Sequence, residues 1–518
     1  MPDSRNSAPS HPFSWLGWWT ALVVLLTGTW LVTEWCYARG YTLYYGDAEA
    51  HLNIARRILD SKTPGPEQIG TVWLPLPQVA MIPFVKFDAA WRTGIGGAVP
   101  SRLGFILAGM FLYFAARRVY QSNAAALVVV LIFALNPNLL YLQSTPMTEA
   151  MFAAGLAALA WAIVWFQDSQ SIWPILVAGT ASNVASLTRY EGWFLIPFAA
   201  IFLLVIAKKK WHAVLFGALA ALGPLAWLAH NQYYYSNALE FYNGPYSAMA
   251  IYARELAKHM QRYPGDHDWW LAAKYYSTAA KLVAGLPAMV FSVFGAIAVF
   301  AKSRRALLPL ALFALPPIFY LWSMHSSGTP IFIPTLWPFS WYNTRYAIAV
   351  LPLAAFAAGA IPAIAPIKFR AAAALLLAVI PAAVWTEKLT LQHEPAICWK
   401  ESEMNSIARR EWTQQAAEFL RANYRPGSGV LCSFGDLTGI LREAGIPLRE
   451  TIHEGNQAEW ILATSRPYLA LRSEWAIGFA GDDVTTAVQR AERFGKHYQL
   501  RRRIIVKGAP VVEIYQLE

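Results

Sequence analysis

Two acidic side chains separated by one alanine are the first residues in the chain that could do chemistry. Asp47 and Glu49 are followed closely by His51. A positioned carboxylate can accept a proton from a hydroxyl group, and carboxylate oxygens can bind a divalent cation. The structural alternative makes Asp47 a helix N-cap and Glu49 a first-turn acid. Apolar residues at helical spacing then predict a short amphipathic helix lying in a membrane interface: Leu52, Ile54, Ala55, Ile58 and Leu59.

Three further segments place ionisable and aromatic side chains beside long apolar stretches. The candidate residues are Glu149, Arg189, Tyr190, Glu191, Tyr342, Asn343 and Arg345. An arginine can bind a phosphate through two parallel hydrogen bonds. The alternatives are that each arginine extends its charged end to the membrane surface and that Glu149 is a first-turn acid. These candidate residues all stand at the ends of apolar stretches and therefore at one depth in the membrane, which favours one shared site.

The composition requires a membrane around most of the chain. Hydrophobic residues make up 56% of the 518 residues, charged residues only 14%, and there are 23 tryptophans. A soluble protein of this length needs more charge to cover its surface. The net charge of +11 does not indicate nucleic-acid binding, because the basic residues lie in short loops and in the C-terminal tail. The fold class is therefore an α-helical polytopic membrane protein.

Basic clusters fix the predicted orientation of the helices. We expect eleven spans, near residues 15–35, 101–119, 123–143, 147–167, 172–188, 192–207, 211–230, 283–301, 306–323, 345–363 and 370–386. With the N-terminus in the cytoplasm, four of five short cytoplasmic loops carry Lys or Arg clusters. Residues 36–100 then form a long first outer loop, in which the proline-broken segment 72–87 is re-entrant or interfacial. All candidate site residues lie on the outer face.

The tail, residues 387–518, changes to a charged composition and predicts a small α/β domain outside the membrane, after a transmembrane domain of residues 1–386. Helix-like stretches cover 405–423 and 483–494. Strand-like stretches cover 429–434, 468–472, 503–506 and 511–516. The three cysteines, Cys36, Cys398 and Cys432, all lie outside, which is compatible with a disulfide between two of them.

The distribution of charge separates the classes of function. Ion-coupled transporters generally need ionisable residues near the membrane midplane, and the predicted spans have almost none. An enzyme acting at the outer face on an amphipathic substrate fits better. The alternatives are a flippase for lipid-linked saccharides, and a bundle that only anchors a binding module in the tail.

At these residues the chain resembles the GT-C class of membrane glycosyltransferases, and is most similar to family 39-like members. That class includes protein O-mannosyltransferases, the lipid A aminoarabinose transferase and oligosaccharyltransferase catalytic subunits. The resemblance rests on the segments 46–49, 136–149, 189–191 and 343–346, on the long first outer loop and on the C-terminal outer domain, and it covers roughly residues 15–386. The pattern Asp47-Ala48-Glu49 departs from the adjacent Asp-Glu of the mannosyltransferases and from the Asp-x-Asp of the oligosaccharyltransferases.

The resemblance implies transfer of a sugar from a polyprenyl-phosphate donor to a protein, lipid or polysaccharide acceptor outside the cytoplasm, with inversion. Asp47 would be the general base, and Arg345, or else Arg189, would bind the leaving phosphate. Glu49 and Glu149 would orient the sugar or, with Asp47, hold a divalent cation such as Mg²⁺ or Mn²⁺. The absence of any Asn-x-Ser/Thr sequon agrees with a bacterial inner membrane.

Overall fold

A helical bundle forms the N-terminal three quarters of the protein in a computed structural model, which describes residues 14–302, 304–390, 396–470 and 472–518. The predicted cytoplasmic N-terminus, residues 1–13, lies outside them. The helices of the bundle are α1 Ser14–Ala38, α2 Gly46–Arg57, α3 Leu76–Val85, α4 Asp88–Arg92, α5 Ile95–Tyr120, α6 Asn123–Ala134, α7 Pro137–Gln143, α8 Glu149–Ser169, α9 Trp173–Ser186, α10 Glu191–Ile206, α11 Trp211–Tyr235, α12 Glu240–Asn243, α13 Ala248–Ala257, α14 Trp269–Ala284, α15 Leu286–Lys302, α16 Leu307–His325, α17 Val350–Ala358, α18 Ala360–Ile364 and α19 Arg370–Thr390.

Fewer helices than predicted are long enough to cross a membrane. Seven helices in the described ranges are long and apolar enough to cross a membrane. The number rises to nine if each of two bent helix pairs counts as one span. The predicted spans at 172–188 and 192–207 form α9 and α10, of 14 and 16 residues. At 1.5 Å per residue these reach only about 21 and 24 Å, short of a hydrocarbon core of about 30 Å. The number eleven is therefore not confirmed, although the multi-pass helical architecture is.

Identifiable residues break the two bent pairs. Between α6 and α7 the chain turns by 67° at Asn136 and Pro137. Proline cannot continue α6, and the Asn136 side chain caps α7 by accepting the backbone N–H groups of Asn138 and Leu139, both at 3.1 Å. Between α14 and α15 the turn is 105°, at Gly285, whose φ is 82°. This left-handed conformation favours glycine.

The alanine-rich helix α8 is the centre of the bundle. Nearly nine tenths of its most apolar stretch is buried, and small side chains let its neighbours approach closely. A Cβ on Gly104 of α5 would lie 2.8 Å from the backbone of Met151. Because Glu149 begins α8, this packing fixes the position of its carboxylate.

The C-terminal domain is α/β, as predicted. Its elements are α20 Ile397–Asn423, β1 Val430–Cys432, α21 Thr438–Ala444, β2 Thr451–Ile452, α22 Ala458–Ser465, α23 Pro467–Ala470, β3 Trp475–Phe479, α24 Asp483–Glu492, β4 Tyr498–Ile504 and β5 Val512–Leu517. The strand order is β2-β1-β3-β5-β4, with β1 parallel to β2 and β3 and with antiparallel pairs elsewhere. The predicted strand at 468–472 is wrong, because Pro467 begins the short helix α23 and the strand starts at Trp475.

Helix α2 is covered by other parts of the chain, which differs from the amphipathic surface helix that the apolar spacing predicts. Nine of its twelve residues are buried, on both faces. Arg56 donates to the backbone carbonyls of Val85 and Lys86, at 2.8 and 3.0 Å, and Arg57 donates to that of Gln68 at 2.6 Å. Helix α2 is thus enclosed between the bundle and the C-terminal domain.

The three cysteines are all buried and free, so no disulfide joins any two of them.

Candidate active site

Four separate elements bring charged side chains to one place. Asp47 lies in the first turn of α2, and Glu149 is the first residue of α8. Arg189 lies in the turn between α9 and α10, and Arg345 lies in the 3-10 turn Thr344–Ala349 before α17. The structure therefore brings these four residues, which are far apart in the chain, to one location.

The Arg345 guanidinium contacts both acids and aromatic rings of the cluster. It is almost completely buried and forms an ion pair with Asp47, whose side chain remains 40% exposed. Its Nε lies 3.3 Å from Glu149 Oε1. The rings of Tyr45 and Tyr346 lie 5.1 and 5.0 Å from it, a cation–π arrangement that fixes the plane of the guanidinium. Asp47 is thus the accessible end of a buried charge network.

Arg189 continues the network inward. It donates to Glu149 Oε1 at 3.0 Å and to Glu191 Oε1 at 2.7 Å. It also donates to the hydroxyl groups of Thr148 and Tyr320, at 2.8 and 2.6 Å. One oxygen of Glu149 therefore contacts both arginines, and acids and arginines alternate from Asp47 to Glu191.

A tight turn presents Arg189 to the cluster. A Cβ on Gly192 would lie 2.4 Å from the backbone of Ala185 and Ser186, so only glycine lets α10 begin so close to α9. Trp193 closes the turn by donating to the Ser186 carbonyl at 2.9 Å.

Glu401 is a member of the cluster that the sequence did not suggest. It belongs to α20 of the C-terminal domain, is 2% exposed and lies 3.5 Å from Arg345 Nη1. It accepts the backbone N–H groups of Asn343 and Thr344 at 2.9 and 2.7 Å. Burial raises the pKa of Glu401, more than Arg345 and the Thr344 donors lower it. The C-terminal domain thus holds the turn that carries Arg345.

His51 lies near the same network but is neutral. Burial lowers its pKa to about 4, and the positive charges of Arg189 and Arg345 act in the same direction while Asp47 opposes them. Its Nδ1 is 2.7 Å from the Gln78 side-chain nitrogen, and its ring lies 4.5 Å from that of Trp73. At neutral pH His51 can therefore bind a polar ligand as an uncharged group.

Glu49 turns away from the cluster, which corrects the expectation that it shares one site with Asp47 and Glu149. It is buried against the C-terminal domain, where Arg442 Nε donates to its Oε1 at 2.8 Å. Asn53 Nδ2 lies 3.4 Å from the same oxygen. Burial would raise the pKa of Glu49, but Arg442 outweighs it and the net pKa is lowered. The geometry places Glu49 in the contact between the two domains.

The remaining predicted residues surround the cluster without joining its ion pairs. Tyr190 donates to the Val72 carbonyl at 2.9 Å and so holds the first outer loop. The Asn343 side chain donates to the Pro330 carbonyl at 3.0 Å, and its backbone adopts a left-handed φ of 55°. Tyr342 is 47% exposed, so its ring is free to contact a ligand.

The three acids proposed as cation ligands do not converge. Glu49 is paired with Arg442, and Asp47 and Glu149 each contact Arg345. Among the described residues, no group of three or more His, Cys, Asp or Glu side chains is arranged to hold a metal ion. The residues named for Mg²⁺ or Mn²⁺ therefore do not fit a shared site.

Breaking the contact between Glu49 and Arg442 is expected to destabilise the protein. Glu49→Gln leaves the buried guanidinium of Arg442 without its main charge partner. The free energy of unfolding should fall by about 3 kcal/mol, the low end for a broken buried pair, because Arg442 keeps its contacts with the Arg92 carbonyl and Glu443. The pKa of Glu49 is lowered from 4.5. The ion pair therefore stabilises the folded protein fully above pH 4.5, and this stabilisation is lost as the pH falls through the lowered pKa. Thermal unfolding of the purified protein in detergent at several pH values measures both effects.

The matched control is Glu443→Gln. Glu443 contacts the same arginine at 3.1 Å but is 46% exposed, so its loss should change the unfolding midpoint little. Equal midpoints for the two variants would contradict the importance of the buried pair.

Comparison with known proteins finds a family model that matches part of the chain and solved structures that share its fold. The family described as dolichyl-phosphate-mannose-protein mannosyltransferase matches residues 92–230. This segment holds Glu149, Arg189 and Glu191, whereas Asp47 and Arg345 lie outside it. No curated protein sequence matches the chain.

Two solved structures share the architecture over nearly the whole chain. ArnT from Cupriavidus metallidurans bound to undecaprenyl phosphate is 14% identical, with a TM-score of 0.58, and the match covers 97% of this chain and 98% of that one. The same protein in the apo state is 13% identical, with a TM-score of 0.55, over 94% of this chain and 98% of that one. The fold is therefore ArnT-like, and the resemblance to the GT-C glycosyltransferases is confirmed.

Proposed function

We propose that this chain is a membrane glycosyltransferase that moves a sugar from a polyprenyl-phosphate donor to an acceptor outside the cytoplasm. The observation that carries the proposal is the Asp47–Arg345 ion pair, partly open to solvent at the end of a buried network of acids and arginines. The mannosyltransferase family match and the ArnT-like fold support the same class of reaction. The basic clusters of the predicted cytoplasmic loops support an orientation with this site on the outer face. The absence of any Asn-x-Ser/Thr sequon supports a bacterial inner membrane.

The donor phosphate is assigned to Arg345. Its planar guanidinium can bind two phosphate oxygens at once, and the rings of Tyr45 and Tyr346 already fix its plane. Phosphate and Asp47 compete for this guanidinium. A bound donor therefore releases Asp47 from its ion pair and leaves its carboxylate beside the reacting sugar.

Asp47 then serves as the general base. The acceptor hydroxyl oxygen forms a bond to the anomeric carbon as the bond from that carbon to the phosphate oxygen breaks. The hydroxyl proton passes to Asp47, and the bonding electron pair leaves with the polyprenyl phosphate. This single displacement inverts the anomeric centre, and Arg345 stabilises the charge that develops on the leaving phosphate.

The inner part of the network positions the sugar. Glu149 touches both Arg345 and Arg189, and Glu191 holds Arg189 in place. We infer that Glu149 and Arg189 bind hydroxyl groups of the sugar. The acceptor approaches past the exposed ring of Tyr342. Protein, lipid and polysaccharide acceptors all offer the hydroxyl that this chemistry needs.

Product analysis separates this proposal from a flippase. The purified chain, in liposomes that contain a polyprenyl-phosphate sugar labelled in the sugar, should release unlabelled polyprenyl phosphate and a labelled acceptor. A carrier would move the donor across the bilayer with its phosphate–sugar bond intact. Labelled donor that crosses the bilayer and is recovered whole, with no labelled product from any of the three acceptor classes, would contradict the transferase.

A further inference from the structure

Three helix ends meet in a basic pocket on the side of the bundle away from Asp47. The pocket has a volume of about 560 Å³. Its described lining is Phe114, Arg117, Arg118, Gln121, Trp161, Asp168 and Arg305. The opposite end of α5 lies beside the helix that carries Asp47, since Gly97 near the start of α5 packs against Leu52 of α2. Arg117 lies twenty residues further along the same helix, about 30 Å away at 1.5 Å per residue.

The charges of this pocket do not balance. Asp168 is the one acid in its lining, and it pairs with Arg118 at 2.6 Å and with Arg305. Arg117 forms no ion pair with any residue that the structure describes, and Arg305 Nε is buried without a hydrogen-bond partner there. Three guanidinium groups around one carboxylate leave a surplus of two positive charges, which an anion can neutralise.

The walls of the pocket determine what kind of anion it suits. Phe114 and Trp161 lie with their rings 6.3 Å apart beside the arginines. Helices α5, α8 and α16 are all candidate membrane spans, so their ends lie at the depth of lipid headgroups. Exposed aromatic side chains also begin α9 and α11, Trp173 at 66% and Trp211 at 48% exposed, as in an interfacial aromatic belt.

We propose that this pocket binds the phosphate headgroup of an anionic membrane phospholipid. Arg117 and the free Nε of Arg305 donate to the phosphate, and Phe114 and Trp161 contact the glycerol and the first methylene groups. A basic pocket between helix ends, lined partly by aromatic rings, matches the charge and the amphipathic shape of such a headgroup. This site is separate from sugar transfer and does not depend on the proposed function.

The test measures the binding of phosphatidylglycerol to the full-length protein by native mass spectrometry from nanodiscs that also contain phosphatidylcholine. Arg117→Gln should weaken phosphatidylglycerol binding about five-fold, since one basic side chain near a membrane surface contributes on the order of 1 kcal/mol. This substitution leaves both ion pairs of Asp168 intact. Phosphatidylcholine binding should be the same in the variant and the wild type.

Two comparisons make the result decisive. Lys209→Gln removes one charge from an exposed loop predicted on the same face but outside the pocket, and should retain wild-type affinity. An equal loss in both variants would show that surface charge alone attracts the lipid, and no loss in Arg117→Gln would exclude the pocket. Inorganic phosphate in large excess should not displace the lipid, and displacement would show that the pocket takes a free anion instead.

Discussion

Replacing Asp47 with asparagine is expected to reduce the rate of sugar transfer by at least about 100-fold, since a positioned general base contributes about 10²–10⁴-fold. Asparagine has nearly the same size and can still accept a hydrogen bond from Arg345, but it cannot take the acceptor proton. Release of labelled sugar from a polyprenyl-phosphate donor by the purified variant measures the effect on kcat.

Donor affinity distinguishes the catalytic role of Asp47 from a purely structural one. If phosphate and Asp47 compete for Arg345, Asp47→Asn should bind polyprenyl phosphate as tightly as the wild type or more tightly. Weaker binding together with lost turnover would mean that Asp47 only holds Arg345 in place. Wild-type turnover would remove Asp47 from the mechanism.

Asp436→Asn is the matched control for this experiment. Asp436 lies close to the start of α2, where a Cβ on Gly46 would be 3.6 Å from its Oδ1. It is 3.8 Å from Arg409, and its side chain is 58% exposed. It makes no ion pair with Arg345 in the described part of the chain. The same change of charge at this position should leave turnover unchanged.

The sequence predicted the outer part of the site because its residues stand at the ends of apolar stretches. A charge at the end of a membrane span lies near the membrane surface, so Glu149, Arg189 and Arg345 could be placed at one depth, on the same face as the outer loop that carries Asp47. Which of them touch depends on how the helices pack. Only the structure shows that one oxygen of Glu149 contacts both arginines.

The misplacement of Glu49 has a geometric cause. The amphipathic pattern predicts a helix from Leu52 onward, whereas α2 begins at Gly46. In a helix, residues two positions apart do not face each other. Once Asp47 and Glu49 are both helical, they point to opposite sides, one toward Arg345 and the other toward Arg442.

Glu401 could not be found from local spacing. It stands 56 residues after Arg345, in a part of α20 that lies before the predicted helix start at 405. At 1.5 Å per residue α20 is about 40 Å long. It can therefore contact the bundle near its start and the sheet near its end, a bridging role that no periodicity in the sequence expresses.

Replacing Arg345 with lysine is expected to lower kcat/KM for the polyprenyl-phosphate donor by about 10²-fold. Loss of one preorganised donor to a developing negative charge costs about 10²–10³-fold in other enzymes. Lysine keeps the positive charge that the surrounding acids require, so folding should be preserved, but it lacks the planar fork that binds two phosphate oxygens. Steady-state kinetics with donor as the varied substrate measure the effect.

A matched arginine tests whether the effect belongs to this position. Arg410→Lys changes an arginine that donates to the Tyr44 hydroxyl at 2.9 Å, outside the ion-pair network, and should leave donor kinetics unchanged. If Arg345→Lys also kept wild-type donor kinetics, the phosphate would have to bind elsewhere, and Arg189 would be the next arginine to replace.

Glu401→Gln separates a positioning role behind Arg345 from direct contact with the acceptor. The Glu401 carboxylate accepts the N–H groups of Asn343 and Thr344 and also contacts Arg345. Glutamine has only one carbonyl oxygen and cannot make all three contacts. We expect kcat to fall roughly 10-fold, the low end of the cost of a lost charge-assisted contact, while the KM for acceptor stays constant. A rise in acceptor KM alone would place Glu401 at the acceptor instead of behind Arg345. The fall in kcat would show that the C-terminal domain acts on catalysis through the turn Thr344–Ala349, which carries Arg345.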